Sequence, residues 1–212
     1  MIGRVSFELA SGRIIDPDAD YGMLLVNYDA PPPPPKMFTV ELEGGDGSVD
    51  MSEWTGRILY EDREVTVALR DMHNHYGELL TLLNGRRVKI RFSDEDEYYY
   101  EGRCSSIERT TRSRVTDLTL KFTCIPYRMY DQKTEIVQSV GNATSIPLQS
   151  ALMPVVPEIT LTAACTLTYQ GQTYSLAAGT HTIAGIVVTD TSRTLTVSGS
   201  GKITLRWRDG VL

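Results

Sequence analysis

Four stretches in the first 130 residues alternate apolar and polar side chains with a period of two. In Phe38–Glu43 the residues Phe38, Val40 and Leu42 share one face. Val65, Val67 and Leu69 do the same, as do Val88, Ile90 and Phe92, and finally Leu118, Leu120, Phe122 and Cys124. Each pattern predicts a half-buried strand of an antiparallel sheet, and each fixes register, because a one-residue slip would expose every apolar side chain. The period changes once. Met72, Tyr76, Leu79, Leu80 and Leu83 form one helical stripe, predicting a helix with its leucines on the sheet, Asp71 as N-cap and Gly85 at a left-handed C-terminus.

The helix leads into a hairpin whose turn, Ser93 to Glu97, carries the four carboxylates Asp94, Glu95, Asp96 and Glu97, so it is expected to be solvated. The return strand starts at Tyr98-Tyr99-Tyr100, and Arg109 to Arg114 is expected to make the next turn. Gly44 to Asp50 reads as a tight turn between strands. Pro31 to Pro35 must be extended polyproline II, since proline donates nothing to a ladder. Beyond residue 130 the strands are closely spaced: 158–169, 172–176, 181–188, 194–197 and 202–207, with Gln170-Gly171, Gly179 and Gly199-Ser200-Gly201 between them.

Charge divides the chain at about the same place. The first 130 residues hold 16 basic and 22 acidic side chains and the remainder five of each. Two domains are therefore expected, 1–130 and 131–212, the second rich in Thr, Ser, Gly and Val as small all-β modules are. The net charge of −6 argues against a surface that grips nucleic-acid phosphates. No apolar run is long enough to span a membrane, and the opening MIGRVSFELASGR lacks the apolar core of a secretory signal. Three scattered cysteines, Cys104, Cys124 and Cys165, fit a chain made in a reducing cytoplasm.

Motifs that suggest chemistry fail on spacing. His73 and His75 are two residues apart, about 200° round a helix, and cannot share a metal. Gly199 to Thr204 lacks the first glycine and the hydroxyl residue of a phosphate loop, having Thr196 and Ile203 at those positions. Gly44 to Asp50 lacks the closing glutamate of a calcium loop. Asn142-Ala143-Thr144 matches a glycosylation acceptor, which needs secretion. Tyr169, Tyr174 and Trp207 are the residue types of a sugar platform, but at this density they read as core or rim aromatics. No enzyme, metal site or cofactor is expected.

The order of the remaining elements is informative. Gly45 to Asp50 precedes Tyr60 and Arg63; the helix ends in Leu82-Leu83-Asn84-Gly85; then come the acidic turn, Tyr98 to Arg103, and a strand closing on Ile125-Pro126-Tyr127. This succession resembles the N-terminal domain of siphophage distal tail proteins. The later part, from Pro157-Glu158-Ile159-Thr160 to the stretch Leu195–Trp207, is similar to the galectin-like module of that family. The resemblance implies a mainly β chain, with an N-terminal antiparallel β-sandwich carrying one flanking helix and a small C-terminal galectin-like β-sandwich.

It also implies a structural virion protein of the tail tip or baseplate, made in the host cytoplasm. Such a protein forms a ring, usually hexameric, that joins the tail tube protein to the tail-associated tip protein or lysin. DNA passes through the channel, and no membrane is involved. Two other readings stay open: a tail-tube or baseplate-hub relative, and a carbohydrate-binding adsorption protein. The oppositely charged turns supply the candidate assembly residues Asp94, Glu95, Asp96 and Glu97 on one side and Arg109, Arg112 and Arg114 on the other.

Overall fold

A computed structural model describes residues 3–112 and 115–212. These divide into two compact units, one running to Arg128 together with Leu212, the other Met129–Val211. The first unit contains β1 (Val5–Leu9), β2 (Ile14–Ile15), α1 (Pro17–Tyr21), β3 (Leu24–Asp29), β4 (Thr39–Glu41), β5 (Ser48–Asp50), β6 (Arg63–Asp71), α2 (Tyr76–Leu83), β7 (Arg87–Phe92), β8 (Tyr98–Arg112) and β9 (Val115–Cys124). Seven of these strands pair antiparallel in the order β2-β1-β7-β8-β9-β6-β3.

That sheet is curled into two facing layers. In a flat sheet β3 and β7 would lie about 19 Å apart, four spacings of about 4.8 Å. Yet the Tyr28 ring of β3 stacks on the Phe92 ring of β7 with centroids 3.7 Å apart. Phe7 of β1 likewise meets Phe122 of β9 at 5.5 Å. The corner is β8, whose first part pairs with β7 and whose remainder follows β9, with a bulge between Cys104 and Ser106. Gly102 faces both partners, Val88 and Cys124. A Cβ at Gly102 would lie 2.4 Å from Cys124 Sγ and 2.5 Å from the Thr123 carbonyl oxygen, so the bend admits only glycine. Between the layers lie Phe7, Val65, Val67, Ile90, Phe92, Leu118, Leu120 and Phe122.

The helix is shorter than the leucine stripe suggests, and turned. Asp71 does not cap it directly. Its buried carboxylate accepts from the backbone N–H groups of His73 (2.9 Å), Asn74 (2.9 Å) and Tyr76 (2.8 Å), organising residues 71–75 as a loop with Asn74 at φ 66°. His73 and His75 thus lie before α2. The helix then buries Leu79 and Leu83, while Leu80 stays 40% exposed and Met72 lies outside it. Gly85 adopts φ 68°, the left-handed C-terminal conformation expected of it. A second helix, one turn long, is α1. Asp16 caps it through the N–H groups of Asp18 and Ala19, Pro17 opens it and Gly22 closes it at φ 64°.

After β10 (Arg128–Tyr130), the second unit holds β11 (Thr134–Ser139), β12 (Thr144–Leu148), β13 (Glu158–Leu161), β14 (Cys165–Tyr169), β15 (Gln172–Leu176), β16 (Gly179–Thr182), β17 (Arg193–Gly199), β18 (Lys202–Trp207) and β19 (Gly210–Val211). Two four-stranded antiparallel sheets, β11-β18-β13-β16 and β12-β17-β14-β15, make a β-sandwich. Ile146, Leu148, Ile159, Leu167, Val197, Leu205 and Trp207 fill it. The stretch 158–169 is two strands with a turn between, and 183–188 is irregular apart from a bridge of Val188 to Val155. Gln170 and Gly171 at φ 50° and 79° close the β14–β15 hairpin. Tyr169 and Trp207 are buried, with Tyr169 donating to the Val187 carbonyl and Trp207 Nε1 to Asp209.

Candidate functional site: an amphipathic arm and two charged hairpin ends

The stretch Phe38–Glu43, expected to be a half-buried sheet strand, is instead part of a hairpin that joins no other sheet. In it β4 pairs with β5 through Thr39–Asp50, Val40–Val49 and Glu41–Ser48, and the Met51 N–H donates to the Phe38 carbonyl at 2.7 Å. Residues 48–50 are therefore strand, and only residues 42–47 make the turn, with Gly44 and Gly47 at φ 79° and 81°. This register places Phe38, Val40, Leu42, Val49 and Met51 on one face and Thr39, Glu41, Ser48 and Asp50 on the other.

The apolar face is bare. All five residues are exposed, as are Met37, Trp54 and Ile58 nearby. Single exposed apolar residues are ordinary, but five side by side on one hairpin face, with Met37, Trp54 and Ile58 exposed nearby, are the pattern of a binding surface. The backbone is nonetheless ordered. Ser52 Oγ accepts from the Phe38 N–H at 2.9 Å and donates to Asp50 Oδ1 at 2.5 Å. The Ser52 hydroxyl and the Ser52 N–H (2.8 Å to Asp50 Oδ1) together hold the Asp50 carboxyl below the usual carboxylate range. At the base Lys36 N–H donates to Leu59 (2.8 Å) and Glu61 N–H to Pro34 (2.9 Å). Residues 36–60 carry five carboxylates and two basic side chains, so the arm is acidic as well as apolar.

The two charged turns lie at opposite ends of β8. Its 15 residues span up to about 50 Å of extended chain. The acidic turn is less free than expected. Asp94 accepts from the Tyr28 hydroxyl at 2.7 Å, and Glu95 from Tyr100 at 2.9 Å. Burial and the Asp94 carboxylate push the Tyr28 hydroxyl well above its ordinary range. Asp96 and Glu97 are exposed. At the other end the strand runs on to Arg112, so residues 109–112 are strand rather than turn. Arg109 lies over the Tyr76 ring at 4.6 Å, Arg112 is exposed, and Arg114 lies outside the described residues. Among the described residues, no ion pair joins the acidic group Asp94–Glu97 to Arg109 or Arg112.

A cavity of about 440 Å³ lies between β1 and β3, lined mainly by Val5, Met23, Leu25 and Leu69. Its polar groups satisfy one another: Arg4 pairs with Asp18 at 3.2 Å, and the Arg4 N–H donates to Ser93 Oγ at 2.8 Å. Sequence reasoning missed the exposure of the arm. The signal was an alternating strand with polar Ser48-Val49-Asp50 as its partner across a glycine-rich loop.

No protein-family model and no curated protein sequence matches the chain. Among solved structures, the crystal structure of the SPP1 Dit (gp 19.1) protein, described as a paradigm of the hub adsorption apparatus in phages infecting Gram-positive bacteria, is similar over 100% of both chains. The TM-score is 0.69 and the sequence identity 18%. The likeness establishes a shared fold along the full length.

Proposed function

We propose that this protein is a structural, non-enzymatic component of a phage tail tip that closes into a hexameric ring. In this reading residues 1–130 form the ring and its channel, and residues 131–212 make a separate β-sandwich domain. One ring face meets the tail tube protein and the other the tail-associated tip protein, and DNA passes through in transit. The observation that carries it is the bare amphipathic arm, in a chain whose whole length has the fold of a hub adsorption protein. Nothing among the described residues covers that face, and every further copy of the chain presents the same arm, so a contact made by it repeats from copy to copy. A heterologous contact repeated this way closes into a ring when its rotation allows.

Mass photometry and negative-stain microscopy of the purified chain test the reading. Closed rings of six support it, long cylinders favour a tube protein, and a monomer at every concentration and salt refutes it. Of the three aromatics of the sugar-binding alternative, Tyr169 and Trp207 are buried and Tyr174 is partly buried, which counts against an open stacking platform.

A further inference from the structure

The inward row of β6 reads Arg63, Val65, Val67, Leu69, Asp71, with a charge at each end of an apolar core. The two ends are treated differently. Asp71 receives three backbone N–H groups, whereas Arg63, only 3% exposed, has no hydrogen-bond partner for Nε or Nη2. Arg63 Cζ lies 5.4 Å from the centre of the Tyr100 ring. The Tyr100 hydroxyl donates to Glu95 Oε2, which also pairs with Arg128 Nη1 at 3.5 Å. Arg128 lies over the Tyr98 ring at 4.5 Å, and its own Nε is buried without a partner.

Three buried, unpartnered guanidinium nitrogens thus belong to the two arginines that flank the Tyr100–Glu95 hydrogen bond. Each unanswered donor keeps its full desolvation penalty, the larger for belonging to a charged group. Burial lowers the Arg63 pKa, yet guanidinium stays protonated at neutral pH. Burial and Glu95 push the Tyr100 hydroxyl up to about 12, so it is neutral. Within this buried cluster two arginines face one glutamate, an arrangement that a further anion would balance.

We propose that Arg63 and Arg128 form a binding site for one monovalent carboxylate, entered past the partly exposed Arg128 side chain. A carboxylate has the planar, two-oxygen geometry that guanidinium N–H groups match, and a single negative charge neutralises the cluster. Its source is either a small free carboxylate or an acidic side chain of a neighbouring copy.

The probe is acetate. Melting of the full chain is followed in sodium acetate and in sodium chloride at matched ionic strength and pH 7. At tenfold above half-saturation the dispersed chain should melt about 3–6 °C higher in acetate, and Arg128→Gln should lose that rise. Arg63→Met is the second variant, with the same expectation if it folds. In assembled rings, loss of the acetate response identifies a neighbour's side chain as the occupant, and a persisting response identifies a free carboxylate. No rise in the dispersed wild type means that water answers the donors and overturns the site. An equal rise in wild type and Arg128→Gln is non-specific and overturns it too.

Discussion

Trp54 is 70% exposed at the foot of the arm, and Val40 at the centre of its apolar face is 51% exposed. Consider Trp54→Ser. A tryptophan presents up to about 250 Å², so roughly 175 Å² is open to a partner. At about 25 cal/mol per Å², covering that surface contributes about 4 kcal/mol to each subunit contact. Ordering the side chains at the interface offsets about 1 kcal/mol of it. The substitution should therefore weaken each contact by about 3 kcal/mol, roughly a hundredfold or more. The monomer should hardly notice, since a side chain this exposed usually changes stability by no more than about 0.5 kcal/mol. Val40→Ser exposes less and should weaken assembly less. The assay is the ring fraction across a concentration series by mass photometry, alongside melting of the dispersed chain. If the assembly midpoint moves by less than threefold for Trp54→Ser, the arm is not the contact. If the dispersed chain melts more than about 5 °C lower, Trp54 belongs to a core that this reasoning denies.

The helix offers a sharper internal contrast: Leu79→Ala should cost about 2–5 kcal/mol in urea unfolding, as buried leucines do, whereas Leu80→Ala should cost under about 1 kcal/mol. Equal losses would mean that α2 is rotated from its described position. Glu8 is held below its usual pKa by Lys89 at 2.8 Å and Arg91 at 2.6 Å. Its folded value being depressed, its stabilisation is present above the unfolded value of 4.5 and disappears as pH falls through the folded one. Glu8→Gln should thus be less stable than wild type at pH 7 and converge with it in strong acid; a constant gap in the urea midpoint at all pH values would contradict the linkage. For the charged ends of β8, replacing Arg109, Arg112 and Arg114 with Ser should reduce ring formation most at low salt, where the Debye length is about 10 Å at 0.1 M. Rings unaffected at every salt concentration would show these arginines to be solvated surface.

The strands of the curled sheet were legible because β6, β7 and β9 each bury one face inside their own chain, and alternation reports that directly. The same alternation at Phe38, Val40 and Leu42 misled, for a physical reason. A period of two says that a face is shared, without saying whether the chain or a partner covers it. The helix stripe overreached because Asp71 claims the N–H groups of His73 and Asn74 for a loop and that of Tyr76 at the helix start, a local side-chain competition invisible to periodicity. β12 escaped notice because Pro147 interrupts it. The strand tolerates proline as an edge of its sheet, with Ile146 and Leu148 buried on either side. Arg63 could not be singled out either, since the orphan donors become apparent only when β6 meets β8 and Arg128.

Five prolines stand between β3 and the arm. Their φ angles are fixed before folding, so positioning the arm's root forfeits little backbone entropy. They also lack the N–H groups that would let β3 zip onward, and its ladder with β6 ends at Asp29–Thr66. The run therefore behaves as a strut rather than a tether. It holds the arm's root extended beside Tyr60 and Glu61 while the apolar face beyond it stays open.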